Sequence, residues 1–171
     1  MSDSSNSFKG HHGTLESCFR LIEKEGFRCS KKNNEWLGWG IYFFAEYEDA
    51  QWWANNESLK KTKRGQKPCV ITALVKYKNN EYLDLDVRAD KREFDKLAAD
   101  LSAKLKVSLH FKTAAQWRCY YSNLVFRSTT VKILSYTFPT GGKDKFGFPY
   151  QKRQHCVSDN QYIEVISGKV V

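Results

Sequence analysis

No apolar stretch in these 171 residues approaches the ~20 needed to span a bilayer. The polar, serine-rich start from Met1 to Ser7 has neither the apolar run of a signal peptide nor a sorting pattern. The expectation is a soluble, cytoplasmic protein with no membrane partner. The cysteines Cys18, Cys29, Cys69, Cys119 and Cys156 are odd in number, with no Cys-x-x-Cys pair and no His at ligand spacing, which argues against a disulfide framework and a zinc site. They read as reduced thiols of a reducing compartment. His11 and His12 are adjacent, so on a strand they point to opposite faces and would chelate one ion poorly. No metal site is expected. No internal repeat is visible, which removes solenoids and propellers.

What is present is a globular composition, 41% hydrophobic and 15% aromatic, far from the regime in which a chain cannot offset its ordering entropy. The length fits one core, so one domain is expected over 8–171 behind a flexible tail, 1–7. Lys and Arg number 28 against 19 Asp and Glu, a net charge of +9. Such a balance attracts polyanions such as nucleic acid, and serves equally to keep a surface soluble.

Phe8 to Thr14 reads as a short strand, and Thr14 as the cap of a helix carrying Leu15, Phe19 and Ile22 and ended by Gly26. Trp36 to Phe44 reads as a strand in which Gly38 and Gly40 mark close backbone approach. A helix from Glu46 to Leu59 follows, then a basic connector, Lys60 to Lys67, and a strand from Cys69 to Tyr77. Asp90 and Glu93 are spaced as a capping box for a helix to Leu105, and Thr113 and Gln116 repeat the device for a helix with Trp117, Tyr120, Tyr121 and Leu124. Val131 to Phe138 is a predicted strand, Pro139 to Tyr150 a Gly- and Pro-punctuated loop, and Gln154 to Val157 and Tyr162 to Ile166 two short strands. Helices fall early and between strands without βαβ alternation, so an α+β fold with a mainly antiparallel sheet is expected.

His12-Gly13-Thr14, then Gly40-Ile41-Tyr42-Phe43, then Ala50 and Trp53-Ala54 together resemble the NAD-binding core of the His-Tyr-Glu class of ADP-ribosyltransferases, which includes the poly(ADP-ribose) polymerases and diphtheria toxin. The resemblance covers most of residues 8 to 54. It implies an ADP-ribosyltransferase-like split sheet flanked by helices, with NAD as ADP-ribose donor. It also implies catalytic roles for His12 and Tyr42, and an NAD site of His12, Gly13, Thr14, Gly40, Tyr42 and Trp53. That chemistry is sensible for these residues. Gly13 lacks a Cβ, so its backbone can approach a carboxamide, and His12 would donate or accept at the adjacent ribose hydroxyl. The nicotinamide of NAD is a cation, which Tyr42 and Trp53 would bind by stacking and cation–π attraction of roughly 0.5 to 2 kcal/mol each. Trp52, Phe43 and Phe44 are expected in the core.

The third residue of that class, usually Glu on a late strand, is where the sequence departs from the pattern. One register puts Gln154 there and is favoured. A second puts Gln161 there, with Glu164 the only nearby acid. Gln can hold a ribose hydroxyl but cannot act as a base, so a single transfer is expected rather than chain extension. Just before Gln154, Lys143, Lys145, Lys152 and Arg153 interleave with Phe146, Phe148 and Tyr150. Cations track phosphates and aromatics stack on unpaired bases, so this segment is a candidate acceptor site, with Lys143, Lys145, Phe146, Phe148, Tyr150 and Arg153 as its contacts. It would equally serve as a mobile basic loop with its rings in the core. The leading expectation is a mono-ADP-ribosyltransferase acting on nucleic acid, RNA over DNA, such as the toxin of a toxin–antitoxin or phage-defence pair with an antitoxin partner. A protein side chain as acceptor, or a non-catalytic nucleotide-binding module, are the alternatives.

Overall fold

The computed structural model describes residues 6–105 and 110–171. Among these described residues four α-helices and seven strands follow in the order β1 (Asn6–Leu15), α1 (Glu16–Glu25), β2 (Ile41–Phe44), α2 (Tyr47–Ser58), β3 (Pro68–Tyr77), β4 (Tyr82–Asp84), α3 (Arg88–Leu105), α4 (Ala114–Ser128), β5 (Ile133–Lys143), β6 (Pro149–Val157) and β7 (Ile163–Val170). The fold is α+β. One mixed sheet runs β4-β5-β6-β2-β1-β3-β7. The edge pair β4 and β5 is parallel, joined across α3 and α4. The other neighbours are antiparallel.

The centre of this sheet positions everything that follows. β1 and β3 pair along their whole length, from Asn6↔Tyr77 to Leu15↔Pro68, and β2 pairs with β6 at every residue from Ile41 to Phe44. Between β1 and β2, in contrast, pairing is confined among the described residues to His11↔Phe44. Beyond that rung the strands diverge and leave a gap. What joins the halves instead is apolar packing: Ile41, Phe43, Ile133 and Val157 on one side meet Phe27, Ile71, Ala73 and Val75 on the other. A second core lies under α3 and α4, around Phe94, Val125, Leu134 and Phe138.

Helix α2 lies on β1 through small residues. Ala50 and Ala54 are its two buried side chains, and a Cβ on Gly13 would stand 2.1 Å from the Ala50 carbonyl oxygen. The primary reason for glycine at 13 is therefore this close helix–strand approach. The same tight line turns the tryptophans outward. Trp52, expected in the core, is 50% exposed, with the Lys152 ammonium 4.5 Å over its ring. Phe43 and Phe44 are buried as expected.

Other local expectations are corrected. Thr14 is a strand residue opposite Cys69. It does not cap α1, which has no side-chain cap; its first amide, Glu16 N–H, donates to the Lys67 carbonyl at 2.9 Å. Asp90 lies inside α3, not at its cap; its carboxylate accepts from the Asp84 N–H at 2.8 Å and pins the end of β4, a strand too short to be foreseen. Thr113 does cap α4, accepting from Gln116 N–H at 3.2 Å, while the Gln116 side chain accepts from Lys112 N–H. The stretch before Ile41 forms isolated bridges, Ser30↔Gly40 and Trp36↔Gly38, not a strand. Asn6 and Ser7, assigned to the tail, are the first rungs of β1; residues 1–5 of that tail lie outside the described residues.

The largest correction concerns Pro139 to Tyr150. It is a β-hairpin, not a loop, with a register shift between Pro139 and Lys143. Asp144 organises its turn: the carboxylate accepts from the Phe146 and Phe148 amides at 2.8 and 3.0 Å, and the Asp144 amide donates to the Phe148 carbonyl at 2.9 Å. Gly and Pro here punctuate a hairpin turn and a bulge.

Candidate active site

The gap between β1 and β2 is a cleft of about 280 Å³ lined by His12, Gly13, Gly40, Tyr42, Trp53 and Gln154. Residues from both faces of the sheet meet there, Ile41 from one and Phe44 from the other, as a gap between strands allows. Of the expected NAD-site residues, Thr14 alone is not on its wall.

His12 spans the gap. Its Nδ1 lies 2.7 Å from the Tyr42 carbonyl oxygen, in place of the backbone rung that the diverging strands lack. A carbonyl only accepts, so Nδ1 carries the proton and donates. Burial holds the imidazole below its ordinary pKa, opposed in part by this bond, so the ring is neutral at pH 7 and Nε2 keeps its lone pair. The ring is set edge-on to Phe27 with centroids 5.2 Å apart, and its Nε2 can accept a hydrogen bond.

Tyr42 is fixed at its far end. Its hydroxyl accepts from the Leu37 N–H at 2.8 Å and donates to the Gly38 carbonyl at 2.7 Å, and burial drives its pKa far upward. The phenol is therefore a structural anchor, leaving the ring for stacking. Trp53, on α2, is partly exposed and packs near Phe44 at 6.3 Å. Gly40 is needed because a Cβ there would lie 2.6 Å from Cys156 Sγ and 2.7 Å from the Val157 carbonyl.

Gln154 stands opposite Phe44 on β6 and is 8% exposed, yet among the described residues its amide has no side-chain hydrogen bond. The residue is largely buried but lines the cleft, so its amide is open to a ligand there. The alternatives lie elsewhere: Gln161 is exposed on the 3-10 turn Asn160–Tyr162, and Glu164 pairs with Lys76 on the β3–β7 edge.

Sequence reasoning missed the connector between α1 and β2. Arg28, Ser30, Lys32, Glu35 and Trp36 all line the cleft. The connector is fastened by Ser30 N–H to Gly40 O at 2.9 Å, by the Trp39 indole to Lys32 O at 3.0 Å, and by the Ser30 hydroxyl to the Glu35 carboxylate. Glu35 is the single carboxylate among the lining residues. The available signal was the mixed charge of Lys31-Lys32-Asn33-Asn34-Glu35 between the two motifs; without periodicity it resembles any polar connector.

The expected acceptor segment divides in two. At the hairpin tip, Phe146, Phe148 and Tyr150 are 72%, 70% and 55% exposed, with Lys145 4.9 Å over the Phe146 ring; these rings are not in the core. Arg153 has a different role. Its guanidinium pairs with Asp84 at 2.6 Å and Asp86 at 2.5 Å, because it leaves β6 toward β4, and its charge is neutralised there. Lys152 pairs with Asp49. Lys143 and Lys145 remain exposed on the hairpin.

Behind the cleft, buried His155 lies with Nδ1 2.5 Å from the Ser135 hydroxyl and stacks on Phe8 at 4.2 Å. Burial, then the Arg153 charge, lowers its pKa to about 4, with Asp84 opposing. All five cysteines are free, and burial raises the pKa of the Cys29, Cys69, Cys119 and Cys156 thiols. Among the described residues no His, Cys, Asp and Glu cluster could hold a metal ion, and no helix is long and apolar enough to cross a membrane. No protein-family model and no curated protein matches the chain.

Proposed function

We propose that the chain is an NAD-dependent mono-ADP-ribosyltransferase of the ADP-ribosyltransferase fold, acting on nucleic acid, with single-stranded RNA as the favoured acceptor. The observation that carries this reading is the convergence of His12, Tyr42, Trp53 and Gln154, from β1, β2, α2 and β6, on one cleft. The cleft's volume suits the nicotinamide–ribose half of NAD, at the small end of ligand sites. Its residues fit that half: Tyr42 and Trp53 for the cationic ring, His12 Nε2 and the Gln154 amide for ribose hydroxyls. Arg28 and Lys32 on the connector suit the pyrophosphate.

In the transfer, the bond between nicotinamide and ribose C1′ breaks, its electron pair leaves with nicotinamide, and an acceptor oxygen or nitrogen bonds C1′. Gln154 orients the ribose but cannot take the acceptor's proton. Glu35 is the carboxylate within the same cleft and takes that role, passing the proton to solvent. The hairpin from Gly141 to Arg153, with its exposed rings and lysines, holds the acceptor. In the cell this chemistry suits a cytoplasmic toxin restrained by an antitoxin, the role that the resemblance implies.

Incubation of the protein with labelled NAD, RNA, DNA and cell extract, followed by separation of products, tests the reading. Label in RNA is expected. Label in protein alone transfers the proposal to a side-chain acceptor, and unconsumed NAD removes the enzymatic reading.

A further inference from the structure

A second cavity, about 600 Å³, lies between α3, α4 and β5, well within the size range of ligand sites. Leu37 and buried Phe94 and Phe138 line its depth. Trp36, Trp117, Tyr121 and Tyr136 are only partly buried and keep ring area open. The rings are already ordered as platforms. Trp117 and Tyr121 are stacked, 5.8 Å apart and 13° from parallel, and Trp36 and Tyr136 pack on Phe138 at 4.5 and 4.9 Å. A lining made of rings favours a flat π-system over an aliphatic chain.

Charge narrows the ligand further. Lys91 and Asp95 at the cavity pair with each other. Arg118 is exposed, lies 5.6 Å over Phe138 and donates to the Trp36 carbonyl at 3.4 Å; among the described residues no carboxylate pairs with it. The site therefore offers aromatic platforms beside one unneutralised guanidinium, which suits an aromatic ring that carries a phosphate. Position narrows it again: Tyr136, Phe138 and Pro139 are the root of the β5–β6 hairpin, and Trp36 lines both this cavity and the His12 cleft.

We propose that this cavity seats one unpaired nucleobase of the acceptor strand, with the adjoining phosphate on Arg118. The proposal deepens the nucleic-acid reading and rests on it. A strand gripped at the hairpin tip would pass the cavity on its way to the cleft, and burying one base there would fix which nucleotide reaches C1′.

The test is binding without NAD. A fluorescein-labelled single-stranded RNA of about 10 nucleotides, within the usual site sizes, is titrated into the full chain and followed by anisotropy, with the same sequence as duplex in parallel. Wild type is expected to bind the single strand more tightly than the duplex, and Arg118→Gln and Tyr136→Leu each to weaken single-strand binding at least tenfold. A 4-thiouridine version should crosslink to peptides containing Trp117, Tyr121 or Tyr136. Arg118 is exposed, so Arg118→Gln and the crosslink decide the matter if Tyr136→Leu does not fold. Wild-type binding by Arg118→Gln with crosslinks confined to the hairpin tip overturns the proposal, as does absence of RNA binding. Cavity-dependent RNA binding without any ADP-ribosyl transfer would sink the enzymatic reading and leave the base site standing.

Discussion

The proposed function gives each residue at the cleft a separable task. Tyr42 is both an anchor and a platform, and two substitutions divide these roles. Tyr42→Phe leaves Leu37 N–H without its acceptor and Gly38 C=O without its donor, so the domain should lose about 1 to 3 kcal/mol of stability while NAD consumption is largely kept. Tyr42→Ala removes the ring as well, and a lost cation–π contact of about 2 kcal/mol predicts a roughly 30-fold fall in kcat/KM for NAD. Thermal unfolding and NAD kinetics on the pair would show whether the ring or the hydroxyl matters at each readout. The division of labour between Gln154 and Glu35 is tested similarly. Gln154→Ala should lower NAD turnover about 100-fold by losing a placed hydrogen-bonding group. Glu35→Gln should lower transfer by about the same factor with the KM for NAD preserved, and the loss should shrink at high pH, where solvent takes the proton. Gln161→Ala, out on its exposed turn, should change nothing. A reversal of the Gln154 and Gln161 results would move the site.

Among the elements, the β5–β6 hairpin is the most separable from the His12 cleft. Phe148→Ala or Tyr150→Ala should remove about 1 to 3 kcal/mol of base stacking, so transfer to RNA falls while hydrolysis of NAD by water persists. Asp144→Ala leaves two turn amides without their acceptor and should weaken transfer in the same selective way. Parallel loss of both activities would show instead that the hairpin shapes the cleft. This element also marks the border of what was legible. His12, Tyr42 and Trp53 were readable because each belongs to a short local motif, and Gln154 because one register aligned it with that pattern. Gly141, Gly142 and Pro139 masked two long strands, because turn residues show where a chain bends and not whether its flanks pair. The outward turn of Trp52 depends on how closely α2 approaches β1, a tertiary distance that helical periodicity does not carry. Glu35 sits on an aperiodic connector, which is brought to the cleft by long-range contacts such as the bridge from Ser30 to Gly40.

At the scale of the whole molecule, pH and salt act through buried histidines and surface lysines. His155 has a folded pKa of about 4, below the ordinary 6.5. Between those values the unfolded chain binds a proton that the folded one does not, so stability is complete above pH 6.5 and falls as pH drops toward 4. The loss is roughly 3 kcal/mol, with His11 and His12 shifted in the same direction. Urea midpoints at pH 7.5 and 4.5 should show it, and His155→Gln should flatten the slope. With a net charge of +9, RNA binding should weaken steeply with salt, by a slope near −0.7 per phosphate contacted, while NAD binding changes far less.

The one-rung junction at His11↔Phe44 has a thermal consequence. Strands held by a full ladder separate only by breaking directional hydrogen bonds, whereas these two halves are joined chiefly by the apolar layer of Phe27, Ile41, Phe43 and Ile71. Such a joint is non-directional, so it yields by sliding, and its cohesion weakens on cooling. The cleft should therefore loosen toward low temperature while the paired strands on either side stay intact, and a ligand bound across the gap would stand in for the missing rungs.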